Sequence, residues 1–194
     1  MVVSLEQEVK GFLHVRRINF RDGSSSYKDL DFVILSKDRP YFYLEVKEKQ
    51  KPYSVMNWPR FVEERWLFIV DDLTVRKCLA RSPRSGVLVR DNKHGEYYFF
   101  SVIDLALMPR LRVNRPIKKE VQAYKGKWLI DLRNGRQSKD IEGAFSSIRE
   151  YLEELDGVLF ETLECYGSYV DEEISSGGIT RVPKYWKHDV ETTR

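Results

Sequence analysis

Two short runs of β-branched and aromatic residues, separated by five mostly polar residues, place the tightest constraint on how this chain folds. The first run covers residues 31–35 and the second covers residues 41–47. The stretch between them, residues 36–40, is charged and ends in proline, which is typical of a turn. Because antiparallel strands can be joined by a short turn whereas parallel strands need a long crossover, the sequence predicts an antiparallel hairpin.

Hydrophobic spacing around this hairpin predicts an αβββαβ order of elements. Residues 2–16 carry apolar side chains at helical spacing behind a serine that can act as N-cap. A short strand is predicted at residues 17–21, and after the hairpin a helix is expected from about Pro59 to residue 66. The apolar run at residues 67–70 predicts a buried central strand. The predicted fold is therefore α/β, with a central mixed sheet flanked by helices.

The rest of the chain predicts an elaboration of the same domain. Helices are expected at residues 73–80 and 140–155, and strands at residues 86–90, 97–102 and 128–132. No repeat or linker divides the chain, so a single domain is predicted for residues 1–166, with its core at about residues 2–70. Glycine, serine and charged residues dominate residues 167–194, which predicts a loosely held polar tail.

Composition narrows the class of protein. The 194 residues are 42% hydrophobic and 32% charged, which is ordinary for a globular domain, and the net charge is only +3. No apolar run is long enough to span a membrane, and an acidic residue at position 6 interrupts any signal-peptide pattern. Cys78 and Cys165 form no CxxC pair, so we expect a cytoplasmic protein with reduced thiols. No GxxxxGK loop indicates ATP hydrolysis.

Three charged residues of the hairpin form the candidate catalytic group. Glu45 and Lys47 are two residues apart on one predicted strand, so their side chains point to the same face. Asp31 opens the partner strand and would lie beside them if the hairpin pairs in register. Two carboxylates can hold Mg²⁺, which acidifies a bound water, and a lysine can orient that water or stabilise charge on the phosphate. The pattern thus favours phosphodiester hydrolysis.

Glu-x-Lys alone is a weak signal, because a second copy, residues 8–10, falls in the first predicted helix. Two other interpretations stay open. Residues 47–49 could be a solvated strand end with Asp31 in a turn, and Asp29 competes with Asp31 because it lies two residues earlier on the same face. Asp31 is favoured because the apolar strand begins immediately after it.

The order αβββαβ, with Asp31 at the second strand and Glu45-x-Lys47 in the third, resembles the PD-(D/E)XK nuclease superfamily over about residues 2–70. The resemblance implies Mg²⁺-dependent cleavage, with Mn²⁺ as a substitute, that leaves 5′-phosphate ends. It implies that Asp31 and Glu45 are metal ligands and that Lys47 serves the attacking water. Leu30 stands where the motif has its proline.

The resemblance also implies a glutamate on the first helix that faces the metal. Glu6 fits the family's spacing better than Glu8, although both could be solvated acids at a helix start. The family implies DNA as the substrate and favours a homodimer. Whether the role is restriction or repair, and whether RNA is also cut, stays open, as does the alternative of a noncatalytic module that binds nucleic acid or supports assembly.

Basic segments could hold the phosphates of a nucleic acid. The candidates are Arg110, Arg112 and Arg115, which lie in an extended segment between two prolines, and Arg81 and Arg84. Ordinary solvated charge explains each stretch about as well.

Two further segments have competing interpretations. Asp71 and Asp72 follow a buried strand, and helix capping is favoured for them over metal binding. Residues 181–188 mix basic and aromatic side chains, which suits base stacking, covering of the domain or contact with a partner.

Overall fold

A computed structural model describes residues 3–26, 28–54, 57–116 and 124–155 of the chain. The strands form a central mixed sheet that is flanked by helices, which confirms the predicted α/β class. The predicted tail, residues 167–194, lies outside the described residues. The helices are α1 (Leu5–Val15), α2 (Asp72–Leu79), α3 (Val102–Leu107) and α4 (Ile141–Glu153). The strands are β1 (Phe20–Asp22), β2 (Phe32–Ser36), β3 (Arg39–Lys49), β4 (Leu67–Asp71), β5 (Ser85–Asp91), β6 (Glu96–Ser101), β7 (Arg110–Pro116), β8 (Tyr124–Asp131) and β9 (Arg136–Ser138).

The larger sheet has six strands in the order β1-β2-β3-β5-β6-β9. The predicted hairpin is confirmed: β2 and β3 are antiparallel, with Phe32 opposite Leu44. Its turn is tighter than predicted, because Lys37 and Asp38 both adopt positive φ, the backbone form of a two-residue hairpin turn. Pro40 consequently lies within β3.

Helices cover both faces of this sheet. The α1 helix begins at the predicted cap, where Ser4 and Gln7 form a capping box, and it contacts α4. The backbone N–H of Leu5 donates to Glu48, whereas the hydroxyl of Thr74 in α2 donates to Glu45. Since alternate residues of β3 point to opposite faces, α1 and α2 lie on opposite sides of the sheet.

The helix predicted at residues 59–66 is wrong, and the strand predicted at residues 67–70 forms but is not central. Residues 59–66 make turns and bends, and the carbonyls of Glu64 and Arg65 accept hydrogen bonds from buried Lys49. The strand at residues 67–70 exists as β4, but it is not the parallel neighbour of β3. That neighbour is β5, which α2 precedes, so the αβββαβ core extends to residue 91. Both strands are apolar runs, and only tertiary pairing distinguishes them.

A second sheet has three antiparallel strands in the order β4-β8-β7. It packs on the first turn of α2, because Gly126 in β8 leaves room for Asp72: a Cβ at Gly126 would lie 2.9 Å from the Asp72 Cβ. This close approach brings β8 toward the helix that also touches Glu45. The longest described helix, α4, has 13 residues, and none of the described helices could span a membrane.

Candidate functional site

Strand β3 presents Glu45 and Lys47 on one face of the six-stranded sheet. Glu45 is 3% exposed, whereas the Lys47 side chain remains about one third exposed. The Lys47 Nζ donates to Glu45 Oε1 at 2.6 Å. The pair therefore joins a buried carboxylate to an ammonium group that solvent and ligands can reach.

Asp31 completes a trio at the start of β2. Its Oδ2 accepts a hydrogen bond from the backbone N–H of Val46 at 2.8 Å and lies 3.8 Å from the Lys47 Nζ. Asp29, its competitor in sequence, is exposed and lies 4.0 Å from the Arg81 guanidinium. The structure thus brings Asp31, Glu45 and Lys47 together and leaves Asp29 outside.

The electrostatics of the trio favour a bound cation. Burial, together with the negative charge of Glu45, raises the pKa of Asp31 above its ordinary value. Burial opposes the charged form of Lys47, but Glu45, Asp31 and Asp71 outweigh it and raise the pKa of that ammonium group. Two carboxylates that share one lysine leave a net negative charge, which a metal ion would neutralise.

One oxygen of Glu45 has no partner within the described part of the chain. The Oε1 atom receives Lys47 and, at 3.3 Å, the hydroxyl of Thr74, whereas Oε2 is buried without a hydrogen bond. A buried unpaired carboxylate oxygen is costly and calls for a ligand. Thr74 was missed in the sequence, where it is an ordinary helix residue; only the packing of α2 on β3 reveals its contact.

The donor set fits a hard divalent cation. Asp31 and Glu45 would hold it through carboxylate oxygens, and Glu45 Oε2 is already desolvated and unpaired. The described residues contain no cluster of three or more histidine, cysteine or acidic side chains that could hold a metal. Mg²⁺ suits such a site, because it commonly binds one or two carboxylates and takes its other ligands from water and substrate phosphate.

The predicted glutamates of α1 lie elsewhere. Glu6 is exposed and interacts with Lys10, and among the described residues it makes no hydrogen bond or ion pair with the trio. Glu8 accepts from Arg90 and from Tyr97, the latter at 2.5 Å. The face of the sheet that α1 covers is the one opposite Glu45, which explains why neither carboxylate joins the group.

Asp71 and Asp72 do not cap α2 through their side chains. Asp71 occupies the N-cap position without a capping hydrogen bond, and its carboxylate instead pairs with Lys125 at 2.5 Å and with Lys127. Asp72 accepts from the indole N–H of Trp128 at 2.7 Å. The capping interpretation is therefore wrong for the side chains, and Asp71 becomes part of a charged cluster near the trio.

The three arginines of β7 divide between the faces of the smaller sheet. Arg110 stacks over Trp128, with 4.5 Å to the ring centroid, and donates to backbone carbonyls, while Arg112 lies 3.3 Å from Asp72. Arg115 has the opposite parity, pairs in register with Lys125 and stacks over Trp58 at 4.2 Å. All three side chains thus have contacts within the protein, and those of Arg110 and Arg112 include hydrogen-bond or ion-pair partners.

The other two candidate arginines line β3 upstream of the trio. Arg84 stacks over Tyr41 at 4.8 Å, and Arg81 stacks over Tyr43 at 4.9 Å. Tyr43 is two residues before Glu45 and therefore shares its face. Arg81 consequently lies along the strand that leads to the trio. Residues 181–188, the aromatic-basic stretch, lie outside the described residues.

The interpretation of residues 47–49 as a solvated strand end is wrong. Lys49 is 2% exposed and lies 3.6 Å from Asp91, and burial lowers its pKa. Glu48 forms an ion pair with Arg90. Glu48 and Lys49 thus have partners on opposite faces of the sheet, while the Lys47 side chain stays about one third exposed.

Comparisons with known proteins yield one distant structural likeness. No family model matches the sequence, and no curated protein matches it either. The chain is similar to the solved structure of a nuclease from a fusselovirus, with 12% identity and a TM-score of 0.44, over 80% of this chain and 98% of that one.

Proposed function

We propose that this protein is a Mg²⁺-dependent endonuclease of the PD-(D/E)XK class that hydrolyses DNA phosphodiester bonds. The observation that supports this most directly is the buried, unpaired Oε2 of Glu45 within a trio that also contains Asp31 and Lys47. In a carboxylate buried for structural reasons alone, both oxygens are expected to have hydrogen-bond partners. Here one oxygen is held ready for a ligand, in a site that stays open at Lys47.

Each residue has a definite task in this proposal. Asp31 and Glu45 hold the metal, which would polarise the scissile phosphate and lower the pKa of a bound water. The Val46 N–H fixes the Asp31 carboxylate, and Lys47 and Thr74 hold the Oε1 side of Glu45, leaving Oε2 for the metal. Lys47 orients the attacking water or stabilises the charge that develops on the phosphate oxygens.

The test is cleavage of supercoiled plasmid by the purified chain, with Mg²⁺ or Mn²⁺ and after treatment with EDTA. We expect nicking with either metal and none in EDTA, and Ca²⁺ should support little turnover because its coordination is longer and looser. Single-stranded DNA and RNA of matched length establish the substrate preference. Nicking that persists in EDTA contradicts the metal mechanism.

A matched pair of variants separates the site from general damage to the fold. Glu45→Gln and Glu48→Gln change neighbouring carboxylates of β3 that point to opposite faces. We expect only the first to abolish nicking. DNA binding by the wild-type chain without nicking in any metal would favour the noncatalytic alternative.

A further inference from the structure

A row of cations lies on the smaller sheet beside the trio. Lys125 and Lys127 alternate with Gly126 along β8 and so share a face, and Arg115 of β7 pairs in register with Lys125 on that face. The side chain of Lys125 is about two fifths exposed, and that of Lys127 is about one quarter exposed. The row is thus anchored in a sheet yet accessible to a ligand.

The Asp71 carboxylate forms ion pairs with both lysines of this row. Its Oδ2 lies 2.5 Å from Lys125 Nζ, and its Oδ1 pairs with Lys127, which is its partner in the β4–β8 register. Two ammonium groups around one carboxylate leave a net positive charge, to which Arg115 adds. A cluster with this net positive charge can bind a second anion beside Asp71, or bind an anion in place of Asp71.

The geometry of α2 places this cluster next to the trio. Asp71 immediately precedes α2, and Thr74, in the first turn of that helix, contacts Glu45 Oε1 at 3.3 Å. Asp71 also contributes to raising the pKa of Lys47. The start of α2 therefore connects the trio with the cation cluster on β8.

We infer that Lys125 and Lys127 bind a backbone phosphate adjacent to the scissile one, and that Asp71 is a counter-ion which this phosphate displaces. The inference rests on the proposed nuclease function and adds the residues that position its substrate. In the free protein the Asp71 carboxylate keeps both lysines in place; when the strand binds, the phosphate oxygens take over their hydrogen bonds.

The test measures affinity for duplex DNA across a salt series in the cleavage-deficient Glu45→Gln background. Replacing Lys125 and Lys127 by glutamine, which retains most of each aliphatic stem, should reduce affinity roughly 10-fold and lower the slope of log affinity against log salt by about 0.9 for each lysine. A matched control replaces Lys139 and Arg149, two exposed cations near the other edge of the sheet and on α4, by glutamine. That control should leave the slope unchanged.

Asp71→Asn supplies the decisive second variant, made in two backgrounds. In the Glu45→Gln background, removing the competing carboxylate should raise DNA affinity several-fold. If affinity does not rise and Asp71→Asn in the wild-type background loses cleavage in Mg²⁺, Asp71 is a metal ligand and the inference is overturned. An unchanged affinity and slope in the lysine variant would also overturn it, while wild-type nicking would still support the proposed function. If the wild type neither binds nor cuts DNA, both fail together. Thermal melting confirms that each variant is folded.

Discussion

Two clusters of charged side chains lie on opposite faces of β3. Among the described residues, only one of the two clusters has a hydrogen-bond partner for every buried carboxylate oxygen. On the face that α1 covers, Glu48 pairs with Arg90, which also pairs with Glu8, and Tyr97 donates to Glu8 at 2.5 Å. On the other face, the trio leaves one buried oxygen of Glu45 unpaired.

The difference separates a structural network from a candidate site. In both clusters two carboxylates share one cation, Arg90 or Lys47. Among the described residues, no buried oxygen of Glu8 or Glu48 lacks a hydrogen-bond partner, whereas Glu45 Oε2 does, and a bound cation would compensate for its lost hydration. Adjacent residues of one strand thus serve different ends because alternate side chains face different surroundings.

The largest effect is expected from removing the trio. Asp31→Asn, Glu45→Gln and Lys47→Ala should each reduce plasmid nicking roughly 100-fold or more, because a bound metal and an oriented lysine contribute several kcal/mol at the transition state. Circular dichroism should show an unchanged fold. Near-wild-type nicking by Glu45→Gln would contradict the assignment of the site.

Removing Arg90 from the cluster on the opposite face should lower the stability of the fold rather than the cleavage activity. Arg90→Ala leaves Glu8 and Glu48 without their common partner in a half-buried network, which should lower the free energy of unfolding by about 3 kcal/mol. For a domain of this size, the midpoint of thermal unfolding should fall by roughly 6 to 12 °C. Nicking measured well below that midpoint should persist; if it disappears while the fold remains, the two clusters are not independent.

Divalent metal should stabilise the fold through one cluster alone. At about 100 times its dissociation constant, Mg²⁺ should add about 2.7 kcal/mol to the wild type, since it binds only the folded site. Glu45→Gln should lose this gain, and Glu48→Gln should keep it. Melting curves with and without metal provide the measurement, and equal gains in both variants would place the metal elsewhere.

The smallest effect concerns the arginines of β7 in DNA binding. Arg115→Ala should lower the salt slope by about 0.9, as expected for one lost phosphate contact, because Arg115 lies on the face of Lys125. Arg110→Ala and Arg112→Ala should change the slope less, since Arg110 already donates to backbone carbonyls and Arg112 already pairs with Asp72. The contact of Arg115 with the face of Trp58 leaves the edge of its guanidinium able to donate to a phosphate. The slopes are measured in the Glu45→Gln background. If Arg110→Ala or Arg112→Ala lowers the slope more than Arg115→Ala does, the phosphate contacts lie on the other face of the sheet.

Local patterns were sufficient for much of the fold. The hairpin, α1 with its Ser4 cap, α2 and α4 all form close to their predicted positions, because short-range spacing and capping chemistry determine them. The helix predicted from Pro59 to residue 66 does not form, and the carbonyls of Glu64 and Arg65 in that segment accept tertiary hydrogen bonds from Lys49. The short helix α3 was not predicted.

The sequence by itself determined the common face of Glu45 and Lys47, since strand alternation requires nothing beyond the chain's own backbone. It also favoured Asp31 over Asp29, and the structure places Asp31 in the trio. Tertiary structure alone decided which apolar strand pairs with β3, that Thr74 reaches Glu45, and that Asp71 meets Lys125 and Lys127. Those contacts join residues 29 to 56 positions apart, and no local periodicity encodes how separate elements pack.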